Sequence, residues 1–168
     1  IDMLSEKLKN YNIILASKSP RRQRFFKEMD IDFSIQLKET EEKYPDTLSG
    51  VQITDYLAEL KAAAFEDLAD NDLLITSDTI VWQDGKAIEK PKDAADAFRM
   101  LKLFSSSMHS VITSVTFTGK YFQKTINDTT KVWFNELTDE EINYYIRTYQ
   151  PFDKAGSYGI QEWLGHVG

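Results

Sequence analysis

Hydrophobic positions along the chain alternate between short apolar runs and helical spacing. Apolar runs at residues 13–16, 73–76 and 79–82 predict strands, and the alternation of polar and apolar residues over 32–38 predicts a half-buried strand. Apolar residues recur at helical spacing over 53–68, which predicts a helix. Because strand and helix patterns mingle throughout, the sequence favours an α/β or α+β fold with a mixed sheet.

Turn and capping signals place the boundaries of other elements. Pro20 suits the first position of a helix and Ser19 suits its N-cap, so a helix is predicted over 21–29, with Phe25, Phe26 and Met29 on its apolar face. Asp84-Gly85 is typical of a tight turn between two strands.

The composition limits the class of protein. The chain has 168 residues, of which 42% are hydrophobic and 28% charged, so it has the size and the apolar content of one folded domain. It contains no cysteine, which excludes disulfide scaffolds, zinc ribbons and thiol catalysis. No apolar run is long enough for a transmembrane helix, and the first residues lack a signal-peptide core. We therefore expect a single-domain cytoplasmic protein with no membrane partner.

The charge is distributed unevenly. The formal net charge is −7, which argues against binding of long nucleic acid by the overall surface. Residues 1–27, however, hold seven basic and two acidic side chains and carry +5, so the remaining 141 residues carry −12. A helix start with serines and two adjacent arginines, Arg21 and Arg22, supplies the parts of an anion site. An ordinary solvated helix is the alternative interpretation.

Three other side chains could carry chemistry. Asp78 follows an apolar strand, at the place where α/β folds bind ligands, and could hold Mg²⁺ or activate water. An aspartate that ends a strand or caps a turn is the alternative interpretation. Lys61 lies beside the apolar stripe of its helix and could extend outward or reach into a cleft. Lys90 precedes a proline that fixes an extended loop.

The last candidate loop spans residues 153–161. It is punctuated by glycines and carries a cation, Lys154, and an amide, Gln161, although a plain connection would have the same composition. His109 is one of only two histidines, too few for a histidine-rich metal site, and we interpret it as structural.

Seven short motifs follow one another in a fixed order: LASKSPRR at 15–22, TEE at 40–42, LAELKA at 57–62, SDTIV at 77–81, EKPKD at 89–93, HSVIT at 109–113 and DKAGSYGIQ at 153–161. Together they resemble the Maf family of nucleotide pyrophosphatases. The resemblance covers nearly the whole chain. It implies a mixed twisted sheet flanked by helices, with two lobes and a central cleft, as in the inosine triphosphatase-like folds.

The resemblance also implies an activity and a domain organisation. The expected reaction converts a nucleoside triphosphate to the monophosphate and pyrophosphate with the help of Mg²⁺ or Mn²⁺. We expect one catalytic domain over 1–168. The sequence given stops before a further strand and helix that are usual in the family.

Individual roles follow from the matching motif positions. The resemblance implies catalytic groups at Asp78, Lys61 and Lys90, phosphate binding by Ser17, Arg21, Arg22 and Lys154, and metal binding by Glu42 and Asp78. Whether Asp78 is the base or a metal ligand stays open. Three positions, Arg21, Thr79 and Gln161, resemble the branch that acts on dTTP and UTP.

Other functions compete with this one. A pyrophosphatase for modified nucleotides such as 7-methyl-GTP is one alternative, although a neutral Gln161 suits the O4/N3 edge of a pyrimidine better than a cationic purine. A non-catalytic, nucleotide-sensing regulator of septum formation is another. The expected partner is a nucleoside triphosphate, and a homodimer is compatible with the sequence.

Overall fold

The computed structural model describes residues 3–158. Its helices are α1 (Met3–Leu8), α2 (Pro20–Glu28), α3 (Val51–Ala63), α4 (Ala94–Phe104) and α5 (Asp139–Tyr149), and a 3₁₀ turn covers Ala155–Ser157. Its strands are β1 (Asn12–Leu15), β2 (Ser34–Ile35), β3 (Asp72–Gln83), β4 (Lys86–Ile88), β5 (Met108–Thr118) and β6 (Gln123–Trp133). Among these described residues, no helix is long and apolar enough to cross a membrane.

The six strands form one mixed sheet, which confirms the predicted fold class. The order is β2-β1-β3-β5-β6, and β4 pairs with β3 outside this path. Strand β1 runs parallel to both β2 and β3, whereas β4 is antiparallel to β3. Asp84 and Gly85 form the predicted turn between β3 and β4, with φ of 50° and 74°, and both values suit the primed turns that match strand twist.

The chain divides into two compact units. The first runs to Asp78 and includes Thr113–Asp128. The second contains Thr79–Ile112 and the described residues from Thr129 onward. Three strands, β3, β5 and β6, contribute residues to both units, because the unit boundaries fall within these strands.

In the first unit, helices cover both faces of β1. Successive side chains of a strand point to opposite faces, so Ile13 and Leu15 pack with Phe26 beside one face. Ile14 points the other way and packs with Ala62 of α3. This double cover explains why residues 13–16 read as a continuous apolar run rather than an alternating one.

In the second unit, α4 and α5 pack around one end of β3. Each helix begins at a capping side chain. Asp93 accepts a hydrogen bond from the backbone N–H of Asp96, and Thr138 and Glu141 form a complete capping box. The shared core contains Val81 of β3, Leu101 and Phe104 of α4, and Ile142 and Tyr145 of α5.

Four local predictions need correction. The predicted strands 73–76 and 79–82 are one strand, because β3 continues through Ser77 and Asp78 as a neighbour of β5 in the sheet. Strand β1 pairs with its first four residues and β4 with its last three. The predicted strand 32–38 reduces to β2, which pairs with β1 at only two positions and is exposed. The helix predicted over 53–68 ends at Ala63.

The fourth correction concerns an aromatic side chain. Phe25, expected on the apolar face of α2, is 56% exposed, whereas its neighbour Phe26 packs on the core of the first unit. The spacing of apolar residues therefore identified the helix and the inward side of Phe26 and Met29, and only the placement of Phe25 was wrong.

Candidate active site

The connection between β1 and α2 is fixed by its own side chains. Ser17 is buried, and its Oγ accepts a hydrogen bond from the backbone N–H of Ser19 at 3.1 Å. Ser19 in turn caps α2, because its Oγ accepts from the N–H of Arg22. Pro20 occupies the first turn, as predicted. The aligned peptide dipoles of α2 give this helix start a partial positive charge.

Two arginines extend the positive charge of this turn. Arg21 is exposed, and Arg22 is half-buried. Burial lowers the pKa of the Arg22 guanidinium, and the Asp78 carboxylate opposes that effect by favouring the charged form. A guanidinium titrates so far above neutral pH that Arg22 stays a cation. The structure thus places Arg22 within electrostatic reach of Asp78.

Asp78 and Lys61 form the centre of the site. Lys61 extends from the last turn of α3, and its Nζ lies 3.1 Å from Oδ1 of Asp78. The same ammonium donates to the Ser77 carbonyl oxygen at 3.0 Å and lies 3.2 Å from Oε1 of Glu42. Of the two orientations considered for Lys61, the one that turns inward is correct. One cation therefore joins two carboxylates.

The second oxygen of Asp78 has no such partner. Asp78 is buried, and its Oδ2 is enclosed without a hydrogen bond from any described residue. Burial raises the pKa of Asp78 above the usual range of an aspartate, and the negative charge of Glu42 adds to the rise. Lys61 and Arg22 act in the opposite direction. A buried carboxylate oxygen with an unused lone pair can accept a proton or bind a cation.

The donor set also bears on metal binding. Within residues 3–158, no group of three or more acidic or histidine side chains could hold a metal by itself. Asp78 and Glu42 offer oxygen donors, which are the ligands that Mg²⁺ prefers. Because Mg²⁺ commonly takes one or two carboxylates and completes its shell with water and substrate phosphates, this pair fits such an ion.

The predicted residues of the second unit lie on two connected segments. Lys90 is exposed, and the side chain of Lys154 is 24% exposed, with its Nζ 3.2 Å from Oδ1 of Asp153. The backbone N–H of Gly156 donates to the Glu89 carbonyl oxygen at 3.2 Å, which joins the segments of the two lysines. Thr79 follows Asp78 directly in β3. Gln161 lies outside the described residues.

Most of the predicted site residues fall in the first unit. There the structure brings Lys61, Glu42 and Asp78 into direct contact and Arg22 within electrostatic reach of Asp78. The sequence did not point to two other groups. One is the Ser77 carbonyl, a backbone acceptor that no motif encodes. The other is Gln23, whose Nε2 donates to the Ser17 carbonyl oxygen at 3.0 Å and holds the turn in place.

Comparison with known proteins decides the family. The family model described as "Maf-like protein" matches residues 12–167, which is nearly the whole chain. The chain belongs to the Maf family. This Maf chain is 59% identical to the dTTP/UTP pyrophosphatase of Flavobacterium johnsoniae, over 98% of its own length and 86% of the relative's.

Other relatives and one solved structure extend the comparison. The chain is 58% identical to the dTTP/UTP pyrophosphatase of Flavobacterium psychrophilum, over 99% of this chain and 86% of the relative. It is 47% identical to the enzyme of that name from Bacteroides fragilis, over 96% of this chain and 84% of the relative. A HAM1 protein structure from Coxiella burnetii has a TM-score of 0.46 and 13% identity over 74% of this chain and 73% of the other.

Proposed function

We propose that this Maf protein hydrolyses dTTP and UTP to the nucleoside monophosphate and pyrophosphate. The observation that carries the proposal is the Asp78–Lys61 pair, in which a buried carboxylate keeps one oxygen without a hydrogen-bond partner from residues 3–158, beside a cation. The three relatives described above are all named dTTP/UTP pyrophosphatases, and they support the choice of substrate.

In the proposed reaction, a water oxygen attacks the α-phosphorus of the nucleotide. A new bond forms between that oxygen and phosphorus, and the bond from phosphorus to the bridging α–β oxygen breaks. The electron pair of the broken bond leaves with pyrophosphate. Asp78 takes the proton of the water on Oδ2, and its raised pKa makes it a stronger base than an ordinary aspartate.

Cations balance the charge that develops in this step. Negative charge grows on the phosphoryl oxygens and on the pyrophosphate leaving group. Preorganised donors stabilise such charge most effectively, because they need no rearrangement during the reaction. We assign the stabilisation of this charge to the catalytic lysines, Lys61 and Lys90, and to the phosphate-binding residues, which are Ser17, Arg21, Arg22 and Lys154.

A divalent metal completes the proposal. Glu42 would hold Mg²⁺ or Mn²⁺ together with the substrate phosphates, and Asp78 would be a further ligand where it is not the base. When bound, the ion would neutralise phosphate charge as a Lewis acid. A role for Asp78 as metal ligand instead of base makes a separate prediction. In that case, Asp78→Asn mainly raises the metal concentration required for half-maximal activity.

Recognition of the pyrimidine is assigned to Arg21, Thr79 and Gln161. The amide of Gln161 can donate and accept hydrogen bonds, as the O4/N3 edge of thymine or uracil requires. The single catalytic domain, the cytoplasmic location and the homodimer stay predictions.

The test is a panel of nucleoside triphosphates that includes dTTP, UTP, CTP, GTP and 7-methyl-GTP, assayed with Mg²⁺ or Mn²⁺. We expect monophosphate and pyrophosphate, with dTTP and UTP turned over fastest. Formation of the nucleoside diphosphate and inorganic phosphate would contradict attack at the α-phosphorus. Preference for 7-methyl-GTP would favour the modified-nucleotide alternative.

Two variants complete the test. Asp78→Asn should lower turnover by about 10²-fold or more, which is the usual effect of losing a general base. Asp46→Asn removes an exposed loop carboxylate and serves as the matched control. Wild-type protein that binds nucleotides without hydrolysing them would favour the regulatory alternative.

A further inference from the structure

His109 and Tyr158 form a buried pair in the core of the second unit. His109 is 1% exposed, Tyr158 is 7% exposed, and the histidine Nε2 lies 2.6 Å from the tyrosine hydroxyl oxygen. Aromatic rings surround them. The Phe104 ring centroid lies 4.3 Å from that of His109, and the Phe134 centroid lies 5.1 Å from His109 and 5.0 Å from Tyr158. This hydrogen bond is therefore shielded from water.

The pair is uncharged. Burial lowers the pKa of His109 to about 4 and raises the pKa of Tyr158, so at neutral pH the imidazole is neutral and the phenol keeps its proton. A neutral imidazole has one N–H and one lone pair, and the phenol can donate to Nε2 or accept from it. His109 is too enclosed to exchange protons with a substrate, so its role is mechanical.

Tyr158 ends a segment that is held tightly along its length. Gly156 and Ser157 adopt left-handed conformations, with φ of 70° and 69°. A Cβ at Gly156 would lie 3.0 Å from Val81 and 3.1 Å from Phe104, so a side chain there would crowd the core as well as strain the backbone. Ser157 is fully buried, and its Oγ donates to the Met100 sulfur at 3.2 Å. A left-handed serine persists only where its surroundings enforce it.

The same segment connects to two of the three lysines assigned to the triphosphate, Lys154 and Lys90. Lys154 begins it, four residues before Tyr158. Gly156, in its middle, donates its N–H to the carbonyl oxygen of Glu89, the residue before Lys90. Anything that fixes Tyr158 therefore restricts the backbone that carries Lys154 and the loop that carries Lys90.

We propose that His109 is a positioning residue: through its hydrogen bond with Tyr158, it holds segment 154–158 in the conformation in which Lys154 binds the substrate phosphates. The inference rests on the proposed function, because it takes the phosphate-binding role of Lys154 from it. His109 itself touches neither the substrate nor the reacting atoms.

A double-mutant cycle tests the inference. Tyr158→Phe keeps the ring and its packing but removes the hydroxyl. We expect it to lower kcat/KM for dTTP about tenfold, as expected when a charge-assisted phosphate contact is misplaced. In a Lys154→Ala background, the same change should cost less than about twofold, because the cation that it positions is gone. Equal losses in the two backgrounds would overturn the inference.

Histidine variants give a second, independent measurement. The amide of glutamine can lie where Nε2 lies, whereas the shorter asparagine reaches only the position of Nδ1. We expect His109→Gln to retain most of the wild-type kcat/KM and His109→Asn to lose about as much as Tyr158→Phe. Equal activity in the two variants would contradict the proposal. This comparison also tests the positioning role of His109 if the Tyr158→Phe variant does not fold.

A matched control separates positioning from general loss of packing. Tyr145→Phe removes another buried tyrosine hydroxyl from the same core and should leave kcat/KM within about twofold of wild type. Thermal unfolding of every variant shows whether it is folded at the assay temperature. Wild-type protein that releases no pyrophosphate would refute the proposed function. Active wild-type protein with an additive cycle would refute only the role of His109.

Discussion

The ammonium group of Lys61 lies 3.1 Å from Oδ1 of Asp78 and leaves Oδ2 of the same carboxylate without a hydrogen-bond partner among the described residues. The two carboxylate oxygens therefore have different surroundings. Oδ1 fixes the orientation of the carboxylate, and Oδ2 is available to a water or a cation. The contact of Lys61 with Glu42 makes the lysine the common neighbour of both acidic groups.

Asp78→Asn should stabilise the fold at neutral pH. The folded-state pKa of Asp78 is raised, mainly by burial, so its protonated form favours folding and its ionised form opposes it. This stability is fully present below the unfolded-state pKa, about 3.9, and is lost as pH rises through the folded-state pKa. Asparagine resembles the protonated form at every pH.

Urea denaturation of wild type and Asp78→Asn at several pH values checks this prediction. The excess stability of the variant should be small near pH 4 and should grow as pH rises toward neutrality. A variant that is less stable than wild type at pH 7 would show that the ion pair with Lys61 outweighs the cost of burial.

Lys61→Gln and Glu42→Gln should shift the acidic limb of the pH–activity profile in opposite directions. Lys61 lowers the pKa of Asp78, so its loss should move the limb to higher pH. Glu42 raises that pKa, so its loss should move the limb to lower pH. The measurement is kcat/KM for dTTP from pH 4 to 8, which reports ionisations of the free enzyme. Shifts in the same direction would mean that another group controls the limb.

Arg22→Ala should weaken catalysis equally for every nucleotide, because all of them share the triphosphate. A charge-assisted contact contributes about 1.5–3 kcal/mol, so kcat/KM should fall about 10- to 100-fold. Arg24→Ala, which removes an exposed arginine from the same helix, is the control and should have little effect. A loss confined to one base would mean that Arg22 recognises the base.

Gln161→Glu should reduce turnover of dTTP and UTP more than that of other nucleotides. The carboxylate lacks the amide donor and would face the O4 acceptor of the base with another acceptor. A mismatch of this kind costs about 1–3 kcal/mol, or roughly 10- to 100-fold in discrimination. The measurement is kcat/KM across the nucleotide panel. Uniform losses would leave base recognition to Arg21 and Thr79.

His109 should make the fold sensitive to acid. Its folded-state pKa is lowered to about 4 from an ordinary value near 6.5, so the unfolded chain binds its proton first as pH falls. Stability should therefore be lost from about pH 6.5 downward. Between pH 7.5 and pH 5, wild type should lose about 2 kcal/mol more unfolding free energy than His109→Gln. Parallel curves for the two proteins would contradict the prediction.

The sequence by itself determined the elements whose signals are local. Ser19 with Pro20 identified the start of α2, and Asp84 with Gly85 identified the turn between β3 and β4, because each signal depends on residues that are neighbours in the chain. The order of the family motifs pointed to Asp78, Lys61 and Glu42 before any geometry was known. Such motifs record which residues are present, not how their side chains are oriented.

Only the tertiary structure decided the contacts between distant segments. It showed β3 to be continuous through Asp78, where β3 lies beside β5 in the sheet. In the folded chain, Lys61 turns toward Asp78, which lies seventeen residues further along the sequence. His109 forms a hydrogen bond with Tyr158, forty-nine residues further along. Neither contact leaves a periodic trace in the sequence, because each depends on how separate elements pack. Residue types were therefore enough to predict which groups could carry the chemistry. The different surroundings of the two oxygens of Asp78 became visible only in the fold.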